Sequence, residues 1–277
     1  MWLARGGTRR VTVILAVATL VVSLRAASQA QSTAAFEVAS IKPNAALDQT
    51  GRVMVSPGMF RATNVNARSL VLLAYGVDGR SLLQQQLVGG PDWMESERFN
   101  VIGRMAGDVR ALRDITPLVR QLLEDRFQLR ARRERRRLHV YGLSSAGNDG
   151  RAAPSLRESA LDCSNPTVRA RALEPPTNGA PWCGSRFGNG DIRAGGYTMA
   201  SLTYSLSSVL KAIVVNETGL AGTFDFELQW NDDPAAVAPD KPSIFTAVQE
   251  QLGLKLVSKE AEVDVVVIDS IERPSPD

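Results

Sequence analysis

One pattern of apolar and polar residues occurs twice in this chain, and this repeat constrains the fold more than any other feature. The first copy runs from Thr116 to Ser144, and the second runs, without a gap and 125 positions later, from Lys241 to Asp269. Each copy begins with apolar residues at helical spacing and continues with the alternation typical of strands. Thr116 and Pro117 suit an N-cap and a first helical position. We therefore predict a helix followed by a β-hairpin in each copy.

The segments that precede the two copies also correspond. The run Phe60-Arg61-Ala62 has a counterpart in Ile192-Arg193-Ala194, and an alternating strand begins at Phe99 and again at Phe224. Asn66 is predicted to cap a helix. The chain is therefore predicted to be α+β, with two related halves of strand, helix, strand, helix, strand, strand and with helices packed on a mainly antiparallel sheet. The alternative is two unrelated helix–hairpin units that share only a pattern of apolar residues.

The N-terminus has the composition of an export signal. Arg5, Arg9 and Arg10 form a basic segment, the run from Val11 to Leu24 is apolar, and a small residue, Ala30, precedes a suitable cleavage site. The apolar run is shorter than the roughly 20 residues of a transmembrane helix. We expect a periplasmic or secreted protein with no transmembrane span in the mature chain. The alternative is that the signal is retained as an anchor.

Removal of the signal changes the net charge of the chain. The full chain carries +3, and residues 1–30 contain four arginines and no acidic residue, so the mature chain carries +3 − 4 = −1. Because the basic balance belongs to the signal, we expect no nucleic-acid partner. The predicted organisation is a signal peptide at 1–30, a first half at 31–146, an irregular insert at 147–190 and a second half at 191–277.

Cys163 and Cys183 are the only cysteines, and both lie in the predicted insert, which is rich in Gly, Pro and Asn. An even number of cysteines in an exported chain favours a disulfide. The alternatives are two free thiols or a zinc site, although no histidine or second cysteine pair lies nearby in the sequence. We predict a disulfide and no metal.

No catalytic constellation is visible in the sequence. His139 is the only histidine, it falls on the more polar side of its strand, and no G-x-S-x-G motif accompanies it. Catalysis by a pair of carboxylates is the alternative. The acidic residues considered for it are Asp92, Glu95, Glu97, Asp225 and Glu227. We predict no catalytic residue and no cofactor.

Arginine density is the most unusual feature of the composition. Seven arginines lie between Arg126 and Arg137, whereas the corresponding segment of the second copy has mixed charge. One interpretation is a solvated hairpin whose strand edges are protected by charge. The other is a docking face for an anionic partner, such as an acidic protein patch, lipid head groups or an acidic polymer. The predicted binding residues are Arg130, Arg132, Arg133, Arg135, Arg136 and Arg137.

Several runs resemble a family of exported proteins associated with soil bacteria, especially Acidobacteria, that carry a domain of unknown function. The matching runs include FEVASIKPN, FRATNVNARSLVLLAYGV, VGGPDWMESERFNV, LLEDRFQL, VVNETGLAGTFDFELQW and SIFTAVQEQLGLKL. The resemblance implies a secreted or periplasmic location. Similar domains are attached to membrane metallopeptidases of the β-lactam-sensor type, which implies a sensing or binding ectodomain. This chain has neither an HExxH motif nor several transmembrane helices, so a sensing role would require a separate partner.

These observations lead to one functional hypothesis and two alternatives. We predict an exported, non-enzymatic binding or protein-interaction module whose partner is an envelope protein or an anionic surface. The first alternative is a sensor ectodomain that acts with a membrane peptidase encoded elsewhere. The second is a carboxylate-dependent envelope hydrolase.

Overall fold

The computed structural model describes residue 2 and residues 35–45, 50–105, 112–147, 155–171, 181–232 and 241–274. The predicted signal peptide therefore lies outside the described residues, apart from residue 2. Among the helices that are described, none is long and apolar enough to cross a membrane.

The described segments contain strands and helices in both halves of the chain. The strands of the first half are β1 (Val38–Pro43), β2 (Arg52–Ser56), β3 (Met59–Asn66), β4 (Leu87–Val88), β5 (Arg98–Arg104) and β6 (Arg130–Ser145). Its helices are α1 (Ala67–Ala74), α2 (Trp93–Ser96) and α3 (Leu112–Arg126). The later strands are β7 (Arg157–Glu158), β8 (Gly184–Gly188), β9 (Asp191–Thr198), β10 (Val214–Asn216), β11 (Thr223–Gln229) and β12 (Leu254–Ser270). The later helices are α4 (Pro166–Arg171), α5 (Met199–Leu210) and α6 (Ile244–Leu252).

Three four-stranded sheets form the framework of residues 34–277. The first sheet has the order β1-β5-β3-β2 and the second has the order β7-β11-β9-β8, and both are antiparallel. The central sheet has the order β10-β6-β12-β4, with an antiparallel middle pair and parallel edges. The predicted α+β architecture, with helices packed on mainly antiparallel sheet, is confirmed.

The predicted hairpins at the end of each half are wrong. β6 is one strand of 16 residues and β12 is one strand of 17 residues. They pair with each other, from Leu254 opposite Ser145 to Ile268 opposite Ala131. The stretch from Arg130 to His139 contains no Gly, Pro, Asn or Asp that would favour a tight turn. Each strand therefore stays extended and finds its partner in the other half.

The predicted start of the third helix is also wrong. α3 begins at Leu112, four residues before Thr116, and Pro117 lies inside the helix. Proline at this position removes one backbone hydrogen bond. Ile115 is fully buried and extends the apolar stripe of Leu118 by one turn. Burial of this extra apolar residue offsets much of the cost of the proline, because a buried isoleucine contributes about 1.5–3 kcal/mol and an interior proline costs about 3 kcal/mol.

The halves occupy corresponding positions around the central β6–β12 pair. β4 of the first half pairs with β12, where Leu87 lies opposite Val266, and β10 of the second half pairs with β6, where Val214 lies opposite Tyr141. Tyr141 and Val266 are 125 positions apart, which is the spacing of the sequence repeat. The common origin of the halves by duplication remains a prediction.

The predicted disulfide is confirmed, since the sulfur atoms of Cys163 and Cys183 are 2.04 Å apart. The described parts of the segment 147–190 are more regular than expected. β7 pairs with β11, and β8 pairs with β9, so this segment supplies both edge strands of the second sheet.

Candidate functional site

The arginine run divides between the two faces of the central sheet, because successive side chains of a strand point to opposite sides. Arg133, Arg135 and Arg137 share a face with Ala131 and Leu143, which pack into the cores of the first and second halves. Arg132 and Arg136 share the opposite face with Val140. The sequence predicted one arginine-rich face, and the structure places these residues on two.

The arginines beside Val140 are neutralised within the sheet. Arg132 forms ion pairs with Asp269 and, at 3.3 Å, with Glu134. Arg136 donates a hydrogen bond of 2.8 Å from Nε to Glu134 Oε1. This hydrogen bond holds the pKa of the Glu134 carboxyl below its ordinary value. The three side chains lie directly opposite buried valines of β12, namely Val263, Val265 and Val267. We infer that Arg132 and Arg136 stabilise the central sheet.

Arg133 holds the end of α1. Its guanidinium donates to the Tyr75 carbonyl at 3.0 Å and lies 6.0 Å from the centroid of the Tyr75 ring. Arg120 contacts the same ring at 4.6 Å and donates to the Ala74 carbonyl. Burial raises the pKa of Tyr75, although the nearby Arg120 charge opposes this shift. Arg133 is therefore a structural contact between the central sheet and the first core.

Six exposed side chains at the middle of the central pair form what we call the polar strip. They are Arg135, Arg137 and His139 of β6, which lie opposite Asp264, Glu262 and Glu260 of β12. Arg135 approaches Glu262 at 3.5 Å, but these side chains are 67% and 57% exposed, so the pair contributes little to stability. Arg137 forms no ion pair with any described residue. The charges of the strip thus remain accessible to another molecule.

Arg130 lies at the start of β6, away from the polar strip. It is exposed and borders a shallow depression that is also lined by Glu124, Gln128 and Leu129. Its side chain, like that of Arg137, has no ion-pair partner in the part of the chain that the structure describes.

The arginine-rich part of β6 is an open strand edge. β10 pairs only with residues 141–143, so no described strand pairs with the outer side of Arg130–Val140. The corresponding part of β12 is open in the same way, because β4 pairs only with Val266 and Val267. Charged side chains on both faces of an open edge deter pairing with other chains. The structure is thus consistent with the protective interpretation, and it leaves this edge exposed.

His139 lies closer to a serine than the sequence suggested. Its Nε2 atom is 2.7 Å from the Ser258 hydroxyl oxygen, a contact across 119 positions that only the β6–β12 pairing creates. A catalytic Ser–His pair also needs an orienting group on the histidine and a site that binds substrate. No described carboxylate bonds to His139, and the pair lies on an exposed strand surface. The geometry favours a cross-strand hydrogen bond.

Most of the carboxylates considered for catalysis are bound by other groups of the protein. Glu95 pairs with Arg68, Glu97 with Arg273 and Glu227 with Arg193, and Asp225 accepts a hydrogen bond from the Gly196 backbone N–H. Asp92 is exposed next to α2. The hydrogen bond from Arg193 holds the pKa of Glu227 below its ordinary value, whereas a general acid needs a raised one. Across the described ranges, no group of three His, Cys, Asp or Glu side chains is placed to hold a metal ion.

Replacement of Arg193 by glutamine is expected to raise the pKa of Glu227 toward its ordinary value, because the hydrogen bond that favours the carboxylate is lost. Carboxyl NMR titration measures this change. A depressed folded-state pKa stabilises the fold above the unfolded-state pKa, and this contribution is lost as the pH falls through the folded-state value. Arg186, which lies opposite Arg193 on β8, supplies the control, since Arg186→Gln leaves the Glu227 contact intact. An unchanged Glu227 titration in Arg193→Gln contradicts the assignment.

A family model described as "Protein of unknown function" matches residues 68–271, which span most of the described chain. No curated protein and no solved structure matches the chain.

Proposed function

The chain belongs to the family DUF3738, whose model covers residues 68–271, and we propose that it is an exported, non-enzymatic interaction module. We propose further that its partner is an envelope protein that binds along the open edge of β6. The observation that carries this proposal is that the Arg130–Val140 edge has no described strand partner and has arginines on both of its faces.

An open edge offers backbone N–H and C=O groups to an extended segment of another protein. The arginines select among such segments. A basic strand would place its side chains against the exposed guanidinium groups of Arg130, Arg135 and Arg137, whereas an acidic strand would meet complementary charge from them. The proposed ligand is therefore an extended, acidic segment of the partner.

Not all arginines of the run are suitable contact residues. Arg132, Arg133 and Arg136 already hold Asp269, Tyr75 and Glu134, so their replacement would also disturb the fold. Arg135 and Arg137 are exposed and lack strong internal contacts, and Arg130 extends the same edge. We assign the docking role to Arg135 and Arg137, with Arg130 at the margin.

Reversal of charge at two positions, Arg135→Glu with Arg137→Glu, is expected to lower partner capture at least about ten-fold. A ten-fold change corresponds to about 1.4 kcal/mol, which two lost charge pairs at a surface can supply. The measurement is the yield of a crosslinked adduct in the envelope of the producing cell, with a photo-reactive residue placed at His139. Identification of the adduct by mass spectrometry then shows whether the crosslinked segment is acidic.

The matched control lies on the other open edge of the same sheet. Lys255→Glu with Lys259→Glu makes the same change in net charge on β12. It removes the part-exposed Lys259–Glu217 ion pair, which contributes little to stability, and it is expected to leave the adduct unchanged. Equal losses in the two variants would show that only net charge matters. That result, or an adduct with a segment that is not acidic, contradicts the proposal.

A further inference from the structure

The first sheet has a second charged surface that the arginine run does not include. One side of this sheet packs on the core through residues such as Phe60, Ala62 and Val101. The other side presents the alternate residues of the same strands to solvent. Its exposed cations are Lys42, Arg52, Arg61 and Arg104, and its apolar members are Val38, Met54, Met59 and Ile102. We call these residues the basic face.

The pairing register makes the basic face continuous. Arg61 of β3 lies between Ile102 of β5 and Met54 of β2, and Arg104 lies between Val38 and Met59. Val38 and Met54 are 62% and 54% exposed, although both are large apolar residues. Cations and apolar side chains thus alternate across all four strands of one surface.

No acidic side chain among the described residues compensates the positive charge of this face. The strands of the first sheet contain no aspartate or glutamate. Within the described chain, none of the four exposed cations forms an ion pair. A stable fold does not require such a distribution, because isolated exposed charges contribute little to the free energy of unfolding.

The charge of the first sheet can be compared with that of the second sheet, which has a similar strand arrangement. Its strands contain four acidic residues, which are Glu158, Asp191, Asp225 and Glu227. They contain three arginines, Arg157, Arg186 and Arg193, and Arg193 is paired with Glu227 at 3.0 Å. Since the same strand arrangement occurs with nearly balanced charge, the architecture does not demand the basic face.

We infer that the basic face docks the protein on an anionic phospholipid bilayer. Cations at such a surface bind lipid phosphates and carboxylates, and exposed apolar side chains among them enter the headgroup region. A sheet surface that carries both kinds of side chain across four strands matches these two requirements. The face carries no aromatic side chain, so it lacks the stacking platform with which exposed sheets bind single-stranded nucleic acid.

The test is the partitioning of the full chain onto vesicles of phosphatidylcholine with about one third phosphatidylglycerol, measured by sedimentation. Each basic residue near an anionic bilayer contributes about a five-fold factor. Arg61→Gln with Arg104→Gln should therefore weaken partitioning by about 25-fold. Added salt should weaken binding of the parent, because the attraction between exposed charges is screened.

The matched control removes the same number of charges from the corresponding sheet. Arg186→Gln with Arg193→Gln changes β8 and β9 and should keep parental binding. All variants retain the same N-terminal segment, so any contribution of that segment cancels. In a Met54→Trp variant, the fluorescence emission of the added tryptophan should shift to shorter wavelength with anionic vesicles but not with vesicles of phosphatidylcholine alone.

Three results would overturn the inference. The first is an equal loss of vesicle binding in the two double variants, and the second is equal binding to neutral and anionic vesicles. The third is binding of the protein to a soluble acidic polysaccharide with no binding to anionic vesicles. The docking proposed for β6 is tested by a different pair of arginines and a different readout. Either proposal can therefore fail while the other stands.

Discussion

Replacement of Phe127 by alanine is expected to lower the free energy of unfolding by about 3–5 kcal/mol, the range for large aromatic residues in a core. Phe127 follows α3 and is fully buried. Its ring centroid lies 5.6 Å from that of Phe99 and 6.5 Å from that of Trp93. The smaller residue would remove these contacts and leave a cavity where α3 meets β6.

Chemical denaturation monitored by tryptophan fluorescence measures this effect, because Trp93 is one of the contacting rings. Phe245 is the matched control, since it lies on α6, is 41% exposed and makes a ring contact with Tyr141 at the surface rather than within the first core. Phe245→Ala is expected to cost about 1 kcal/mol or less. A Phe127→Ala protein within about 1 kcal/mol of the parent would show that this aromatic cluster does not stabilise the core.

Loss of the Cys163–Cys183 disulfide is expected to lower the free energy of unfolding by about 3 kcal/mol, as chain-entropy arguments give for loops of this size. The bridge spans a sequence separation of 20. Cys183 is buried next to β8, and a side chain at Gly196 would overlap Cys163 Sγ, so the bridge packs directly on β9. Its removal should loosen the edge of the second sheet in particular.

The measurement is the denaturation midpoint of a Cys163→Ser, Cys183→Ser protein compared with the parent under oxidising conditions. A reducing agent should shift the parent toward the variant and leave the variant unchanged. Hydrogen exchange should report the largest loss of protection in β8 and β9. If reduction leaves the midpoint of the parent unchanged, the bridge is not a source of stability.

Short-range features were predictable because their causes lie within a few residues. Asn66 caps α1 by accepting a hydrogen bond of 2.8 Å from the Ser69 N–H, as its residue type and position suggested. The strand at Phe224 has the expected alternation of buried and exposed residues. The start of α3 was misplaced, since burial of Ile115 favours an earlier start than the local preference of Pro117 indicates.

The candidate site was only partly predictable. The arginine run and its contrast with the second copy were visible in the sequence. The role of each arginine was not, because Arg132 meets Asp269 across 137 positions and Arg133 meets Tyr75 across 58. The basic face was missed, since its cations come from four strands and form no run in the chain.

Residue alternation was sufficient to predict extended β-structure after each helix and the α+β class, since each side of a strand must match either core or solvent. It did not specify the partners of the strands. A strand that folds back on itself and a strand that pairs with one more than a hundred residues away have the same period of two. The absence of turn residues between Arg130 and His139 and the pairing of Leu254 with Ser145 settled that choice in the folded chain. Pairing thereby also determined which arginines are neutralised and which remain open to a partner.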